Sequence, residues 1–389
     1  MLGMINKLVK IGGAIVNSRD NFLKIVELIK SDDFNYSFFV ISGFGKTTQK
    51  LRSIAETALI SLESSLAQLE MLISELSYLS NKNCDLDADI NQLKRMINGI
   101  NITKELTPKL MDRILSYGEI LSMKLIQANI ESQDIKFVDS DKLIVTDSNF
   151  NNANPIFDLS REKTIDYLLK NQFSKYVTQG FMAADANGNR TTMGMESSNL
   201  TATLIADILK LKQVTIITDV NGIRNIDPKL SKNTKLIENI NYRDAIILAN
   251  YGLKQFYAKM IEIASKDNIE IMYRSLDNKE EITTINNDKS DNSKTLIVKK
   301  LSESQEDYDI LYHDNNFYIQ FKQNEYDNEN SITQYILYNV DPKDTINYLI
   351  SNFDFDKIWI DNYGSKVVKI ISKSRSEEDL IKLINYVNL

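Results

Sequence analysis

The first 41 residues carry a strand–helix–strand pattern, and this pattern restricts the possible folds more than any other feature. Residues 5–10 predict a first strand, and residues 38–41 are an apolar run that predicts a second, buried strand. Between them, residues 21–30 place apolar side chains at helical spacing. Consecutive strands joined by a helix run parallel and need helices on both faces of their sheet. We therefore expect an α/β protein built on a doubly covered parallel sheet.

Further elements follow the same alternation. Residues 51–125 predict helices, with leucines between Leu62 and Leu76 spaced alternately by four and three. This spacing also fits a coiled coil, but it spans few heptads and favours a helical hairpin packed on the sheet. The remaining predictions are strands at 135–138, 143–146, 177–182, 214–218 and 269–273, the last of this domain, and helices at 200–211, 242–251 and 260–267.

A chain of 389 residues is long for one domain, so two domains are expected. The polar stretch 286–294 has no apolar periodicity and indicates a linker. We predict a first domain at 1–285, a linker at 286–299 and a small α+β domain at 300–389. In this last domain, strands at 307–312, 316–321, 334–340, 357–361 and 367–372 and helices at 343–352 and 376–387 suggest a ββαββα-like order.

Composition excludes several classes of function. The formal net charge of -7 argues against a general nucleic-acid-binding protein. A single cysteine, Cys84, permits neither an intrachain disulfide nor a cysteine-based zinc site, which fits a cytoplasmic protein. No apolar run approaches the roughly 20 residues of a membrane helix. With His313 as the lone histidine, Ser-His-Asp and Cys-His mechanisms are disfavoured. The chemistry must rest on Lys, Asp, Glu, Arg and backbone amides.

Three segments have the composition of anion-binding or ligand-binding sites. Lys10 precedes Gly12 and Gly13 at the end of the first strand, where amides and a cation can approach phosphate oxygens. By itself this signal is weak, and a solvated lysine beside a turn is the better interpretation. Residues 188–199 combine glycines and hydroxyl residues before an apolar helix, and residues 218–222 end a buried strand in a polar loop.

Taken in order, these segments resemble the amino acid kinase family and, within it, the aspartate kinases. The resemblance runs from residue 7 to about residue 285 and is carried by residues 7–13, 40–43, 115–122, 180–181, 191–194, 218–222, 227–228 and 251–254. It implies transfer of the ATP γ-phosphoryl group to the side-chain carboxylate of aspartate, with ATP and Mg²⁺ as cofactors. A carboxylate is ionised at neutral pH, so this reaction needs no general base.

The resemblance also implies roles for individual residues and assigns none as a metal ligand. The implied catalytic residues are Lys10 and Asn199; the substrate-binding residues are Ser42, Glu119, Phe181, Met195 and Ser198; the nucleotide-binding residues are Gly12, Gly13, Thr218, Asp219 and Lys254. Structural alternatives exist: Glu119 as a surface helix residue, Asp219 as a strand-end cap and Lys254 as a solvated lysine.

Residues 194–199 depart from the G-R-G-G-S-D segment of aspartate kinases. Met195 stands at the arginine position that grips a substrate carboxylate in the family, and it offers neither charge nor donor. Glu196 replaces a glycine and Asn199 an aspartate. Three interpretations remain open. In the first, Arg190 or Arg224 supplies the missing cation. In the second, the substrate is another amino acid or carboxylate. In the third, the protein is a weakly catalytic ligand-sensing or scaffold protein.

The C-terminal domain resembles a small-molecule-sensing ACT-type domain, reduced from the usual tandem pair to little more than one copy. Such modules commonly pair strand edges between subunits, so a homodimer is expected. The alternative is that this domain serves dimerisation only.

Overall fold

We describe the chain from a computed structural model. The structure describes residues 5–80, 82, 84–194, 196–253, 255–278, 280–291, 293–300, 307–313, 316–322, 333–352, 357–361, 367–372 and 377–388. Contacts between Cα atoms divide the chain into two compact units, one formed by residues 1–221 and 257–287 and the other by residues 222–256 and 288–389.

The helices are α1 (Arg19–Lys30), α2 (Thr47–Ala58), α3 (Leu62–Leu79), α4 (Asp87–Thr103), α5 (Pro108–Leu115), α6 (Tyr117–Asn129), α7 (Phe157–Lys170), α8 (Ser197–Ile208), α9 (Tyr242–Asn250), α10 (Ala258–Asp267), α11 (Pro342–Asn352) and α12 (Glu377–Asn388).

The strands are β1 (Lys7–Ile11), β2 (Ser37–Ile41), β3 (Ile135–Val138), β4 (Val145–Thr146), β5 (Lys175–Gln179), β6 (Met182–Asp185), β7 (Arg190–Thr192), β8 (Gln213–Thr218), β9 (Ile223–Arg224), β10 (Leu236–Ile237), β11 (Asn239–Asn241), β12 (Glu270–Ser275), β13 (Thr283–Asn286), β14 (Thr295–Lys300), β15 (Asp307–His313), β16 (Asn316–Lys322), β17 (Thr333–Tyr338), β18 (Lys357–Asp361) and β19 (Val367–Ser372).

The first unit is built on a central sheet in the order β13–β12–β8–β1–β2–β5–β3. Every pairing from β12 to β3 is parallel, which confirms the predicted α/β class. β12 was predicted as the last strand, but β13 pairs with it in antiparallel orientation. The four residues of β13 are too few to give a periodic signal. β1 lies in the middle of this order. The carboxyl ends of its parallel neighbours, β2 and β8, therefore lie beside the loop that follows β1.

Helices cover this sheet because their apolar side chains repeat at helical spacing. In α1, Ser18 caps the first turn by accepting from the Asn21 N–H at 3.2 Å, and Phe22, Ile25 and Ile29 are buried. α8 contacts β1, β2 and β8 and is buried along its whole length. α3 packs on α2 and α4 and places Leu69, Leu72 and Leu76 in the same core. The hairpin prediction for this region is therefore confirmed.

In the second unit, β14, β17, β19 and β18 form an antiparallel sheet in that order. With α11 and α12 the chain order of this sheet and its helices is ββαββα. The strands predicted at 307–312 and 316–321 belong to a separate hairpin, β15 and β16, and β14 takes the first place in the sheet. The core contains Leu296, Leu337, Val368 and Leu383. The predicted domain boundaries at 285 and 299 stay a prediction; the second unit also contains residues 222–256, and β14 begins within the predicted linker. No described helix is long and apolar enough to cross a membrane.

Candidate active site

Lys10 occupies the end of the central strand β1 and is only 6% exposed. Its register partners are Val40 on β2 and Ile216 on β8, both within the parallel sheet. Three strands therefore end beside one buried ammonium group. In open α/β sheets this carboxyl edge is where ligands bind. The alternative of a solvated Lys10 beside a turn is wrong, because burial withdraws the side chain from water.

Glycines after β1 allow two loops to touch next to this lysine. A β-carbon built on Gly13 would lie 1.8 Å from the Gly43 carbonyl oxygen, so the position accepts only glycine unless the backbone moves. The Gly45 N–H donates to the Gly13 carbonyl oxygen at 2.8 Å and joins the same loops. A β-carbon on Gly12 would lie 3.7 Å from Lys10 Nζ. Its absence leaves space beside the ammonium group.

Glu119 lies on α6 and is 3% exposed. Its Oε1 accepts a hydrogen bond from the Gly43 N–H at 3.0 Å, whereas Oε2 has no hydrogen-bond partner among the described residues. Ser122, one turn later, accepts from the Phe44 N–H at 2.9 Å. Two side chains of α6 thus hold the loop that follows β2. The surface-helix alternative for Glu119 is therefore wrong.

The electrostatics of Glu119 and Lys10 are linked. Burial raises the pKa of Glu119 to about 8, and the Gly43 N–H and the Lys10 charge oppose that rise. Burial likewise lowers the pKa of Lys10, and the carboxylates of Glu196, Glu119 and Asp219 raise it. Both groups sit where their charged forms are costly without a partner. Such perturbed groups mark a candidate site for ionic ligands.

The loop between β5 and β6 brings the start of α8 to the same edge. The Gly180 N–H donates to the Ile41 carbonyl oxygen at 2.8 Å, and a β-carbon on Gly180 would lie 2.5 Å from Ser198 Cβ. Ser198 and Asn199 are buried in the first turn of α8. Phe181 is buried with a positive φ of 62°. The predicted strand at 177–182 is wrong in extent, because this left-handed residue separates β5 from β6.

The other predicted site residues are placed as follows. Ser42 is half-buried, and its N–H donates to the Ile11 carbonyl oxygen at 3.2 Å. Thr218 ends β8 and donates from Oγ1 to Asp219 Oδ1 at 3.1 Å. Asp219 is exposed, yet its negative charge raises the pKa of Lys10. The predicted residues Met195 and Lys254 lie outside the described residues.

Sequence reasoning missed Asp112 on α5, which is fully buried. Its carboxylate accepts from the Asn151 N–H at 3.0 Å, from the Thr192 N–H at 2.9 Å and from Thr192 Oγ1 at 2.5 Å. Burial raises the pKa of Asp112, and these donors oppose the rise. The group ties α5 to β7 and to the 151 loop. The available signal was a carboxylate next to Met111, Ile114 and Leu115, which form the buried face of this helix.

A cavity of about 60 Å³ opens beside these loops. Its lining includes Thr48, Gln49 and Arg52 from α2, Leu115 from the end of α5, and Phe181 and Gly194 from the loops before and after β6 and β7. Among the described lining residues, Arg52 alone carries a charge. Sequence reasoning also missed this residue, because an arginine on an exposed helix face gives no signal.

Comparison with known proteins identifies the class that this fold and site define. Residues 7–274 match the sequence model of the amino acid kinase family. The chain therefore belongs to that family, as the order of its motifs predicted.

Within the family, its relatives include aspartokinases. The chain is 27% identical to the aspartokinase of Chlamydia pneumoniae over 68% of this chain and 59% of that protein. It is 25% identical to the chloroplastic aspartokinase 1 of Arabidopsis thaliana over 76% of this chain and 54% of that protein. It thus spans little more than half the length of these curated relatives.

Solved aspartokinase structures share the fold. Aspartokinase III of Escherichia coli, solved with aspartate and ADP, has a TM-score of 0.78 at 17% identity, covering 98% of this chain and 99% of that chain. The aspartate kinase of Clostridium acetobutylicum has a TM-score of 0.66 at 17% identity, covering 98% and 99% respectively. These likenesses confirm the predicted amino-acid-kinase architecture.

Proposed function

We propose that the protein is an aspartate kinase, which transfers the γ-phosphoryl group of ATP to the side-chain carboxylate of aspartate. One observation carries the proposal. A buried carboxylate, Glu119, keeps one oxygen without a described donor, close enough to the buried Lys10 ammonium for their charges to interact. Membership of the amino acid kinase family and similarity to aspartokinases support the choice of substrate.

Glu119 would hold the α-ammonium group of the amino acid. A buried carboxylate is costly unless a cation or donors satisfy it, and the Gly43 N–H satisfies Oε1 alone among the described groups. An ammonium group brings both a positive charge and N–H donors to Oε2. Ser42, Phe181 and Ser198 would complete the walls of the same site, and Met195 would lie there by its place in the motif.

In the reaction, a side-chain oxygen of aspartate forms a bond to the γ-phosphorus of ATP. The bond from that phosphorus to the bridging oxygen breaks, and ADP leaves with the electron pair. The products are 4-phospho-aspartate and ADP. Lys10 would neutralise charge on the transferring phosphoryl group, since catalysis of this step consists of positioning and electrostatic stabilisation. Asn199 would act beside it as a hydrogen-bonding group.

The residues present fit a nucleotide. Gly12 leaves the space next to Lys10 Nζ that a phosphate would need, and Gly13 allows the neighbouring loop to approach. Thr218, Asp219 and Lys254 would lie along the nucleotide. Mg²⁺ would arrive on the ATP phosphates and reduce their charge.

We also infer a cytoplasmic homodimer. The support for a dimer is the antiparallel sheet of the second unit, in which β18 is an edge strand among the described strands. The single cysteine, Cys84, is free, which suits a reducing compartment. Sedimentation velocity at micromolar concentration tests the dimer, and a single species with the mass of one chain would contradict it.

The function is tested by trapping the acyl phosphate with hydroxylamine. Protein, Mg-ATP, aspartate and hydroxylamine should give aspartyl hydroxamate together with ADP. Lys10→Ala should reduce turnover by about a hundredfold or more, as expected for loss of a group that stabilises transition-state charge. Lys94→Ala, on α4 and half-exposed, is the matched control and should retain full activity. Binding of ATP without any hydroxamate from aspartate would contradict the proposal.

A further inference from the structure

We propose that Arg52 binds the non-reacting carboxylate of the amino-acid substrate and thereby takes the place of the cation that Met195 cannot supply. This inference rests on the proposed function and names a specificity-determining residue for it. It is carried by the position of Arg52 in the cavity beside the Glu119 loop, by the charges that the substrate presents and by the hydrogen bonds of the neighbouring carboxylate.

The cavity adjoins the group proposed to bind the ammonium. A β-carbon built on Gly43 would lie 3.2 Å from both Glu119 Oε1 and Thr48 Oγ1, so these two side chains flank the same glycine. Thr48 also lines the cavity, as do Phe181 and Gly194. The space therefore extends from the surroundings of Glu119 to the residue that directly precedes Met195.

α2 turns one face toward this space. Thr48, Gln49 and Arg52 line the cavity, and spacings of three and four residues place them on the same side of a helix. Side chains on a helix lean toward its N-terminus, so Arg52 reaches back toward Thr48 and the loop held by Glu119. Four residues of helix rise about 6 Å, a gap that an arginine side chain spans.

The charges of the substrate require such a group. A dicarboxylic amino acid brings one ammonium and two carboxylates, and the reacting carboxylate belongs beside Lys10. The second carboxylate needs a cation or several donors if it is to leave water. Among the described residues that line the cavity, Arg52 alone carries a charge. Its guanidinium has the planar donor pair that matches a carboxylate.

The nearby carboxylate of Asp112 accepts its hydrogen bonds from other residues, so the N–H groups of Arg52 stay available for a ligand. Arg52 acts on Asp112 through its charge, whereas the hydrogen bonds to that carboxylate come from Asn151 and Thr192. The N–H groups of Arg52 are therefore not used by Asp112. Of the cations considered from the sequence, Arg190 lies on β7 and does not line the cavity.

The test compares two ligands that differ only in the carboxylate at issue. Aspartate is measured by kcat/KM, and 3-aminopropanoate, which is aspartate without its α-carboxylate, by its inhibition constant against aspartate. Arg52→Gln should lower kcat/KM for aspartate by about tenfold to a hundredfold, mainly through KM, as expected for loss of a charge-assisted hydrogen bond. The inhibition constant of 3-aminopropanoate should change less than about twofold.

Arg52→Lys should fall between the wild type and Arg52→Gln, because lysine keeps the charge but loses the planar donor pair. Arg95→Gln, an exposed arginine on α4 outside the cavity lining, is the control and should match the wild type. Arg52→Gln with unchanged kcat/KM, or with equal losses for both ligands, would overturn the inference. Wild-type protein that forms no acyl phosphate from aspartate would instead overturn the proposed function, and the Arg52 inference with it.

Discussion

Replacing Glu119 by glutamine should remove most of a strong pH dependence from the stability of the fold. Glutamine keeps the shape of the side chain and can still accept from the Gly43 N–H, but it cannot ionise. In the wild type the pKa of Glu119 is about 8 rather than 4.5, because the side chain is buried. The folded protein therefore holds this proton more tightly than the unfolded chain does.

The magnitude follows from that difference. One pKa unit corresponds to 1.36 kcal/mol, so a pKa of about 8 against 4.5 contributes about 5 kcal/mol. This contribution is complete below pH 4.5 and is lost as the pH rises through 8, because the folded state must then carry the buried charge. Between pH 5 and pH 8.5, the free energy of unfolding of the wild type should lose about 4 kcal/mol that Glu119→Gln retains.

Urea unfolding at pH 5, 7 and 8.5, followed by circular dichroism at constant ionic strength, measures this difference. Glu105→Gln, at an exposed loop position, serves as the control and should follow the wild type at every pH. If the free energies of unfolding of Glu119→Gln and the wild type change with pH in parallel across this range, burial does not raise the pKa of Glu119. The argument that it awaits an ammonium ligand would then lose its electrostatic basis.

Two further substitutions test how the site is held together. Gly13→Ala places a β-carbon 1.8 Å from a backbone carbonyl oxygen and should destabilise the protein by about 1–3 kcal/mol in urea unfolding, whereas Gly99→Ala, with open space around it in α4, should stabilise it by up to about 1 kcal/mol. Asp112→Asn replaces a buried acceptor of several N–H and O–H groups and should cost about 2–3 kcal/mol in the same assay, against less than about 0.5 kcal/mol for the exposed control Glu105→Gln. A loss below 0.5 kcal/mol for Gly13→Ala or Asp112→Asn would refute the corresponding contact.

The parallel sheet was predictable because its strands are buried on both faces. Such a strand reads as a short continuous apolar run, as in residues 38–41, which Ser42 and Gly43 follow. The helix that precedes it shows a clear apolar stripe in residues 21–30. Short strands such as β9 and β13 carry no comparable signal, since two to four residues cannot display a period. The break between β5 and β6 was missed because a phenylalanine with positive φ is uncommon.

The candidate site was predictable in its parts and not in its connections. Lys10 and Glu119 were identified by their places in an ordered series of motifs, but 108 positions separate them and spacing alone cannot bring them together. Their proximity depends on α6 packing so that Glu119 meets the Gly43 N–H. The raised pKa of Glu119 follows from that burial, which the neighbouring sequence does not reveal.

Arg52 shows why comparison of a motif position by position can mislead. Such a comparison asks whether residue 195 carries an arginine, and methionine there reads as a lost function. A substrate carboxylate binds a guanidinium that lies within hydrogen-bonding distance, whichever helix or loop of the cavity carries that arginine. α2 begins only a few residues after the loop that Glu119 holds, so a cation one turn into that helix reaches the same space. A departure within a motif therefore counts against function only after the other residues of the cavity have been considered.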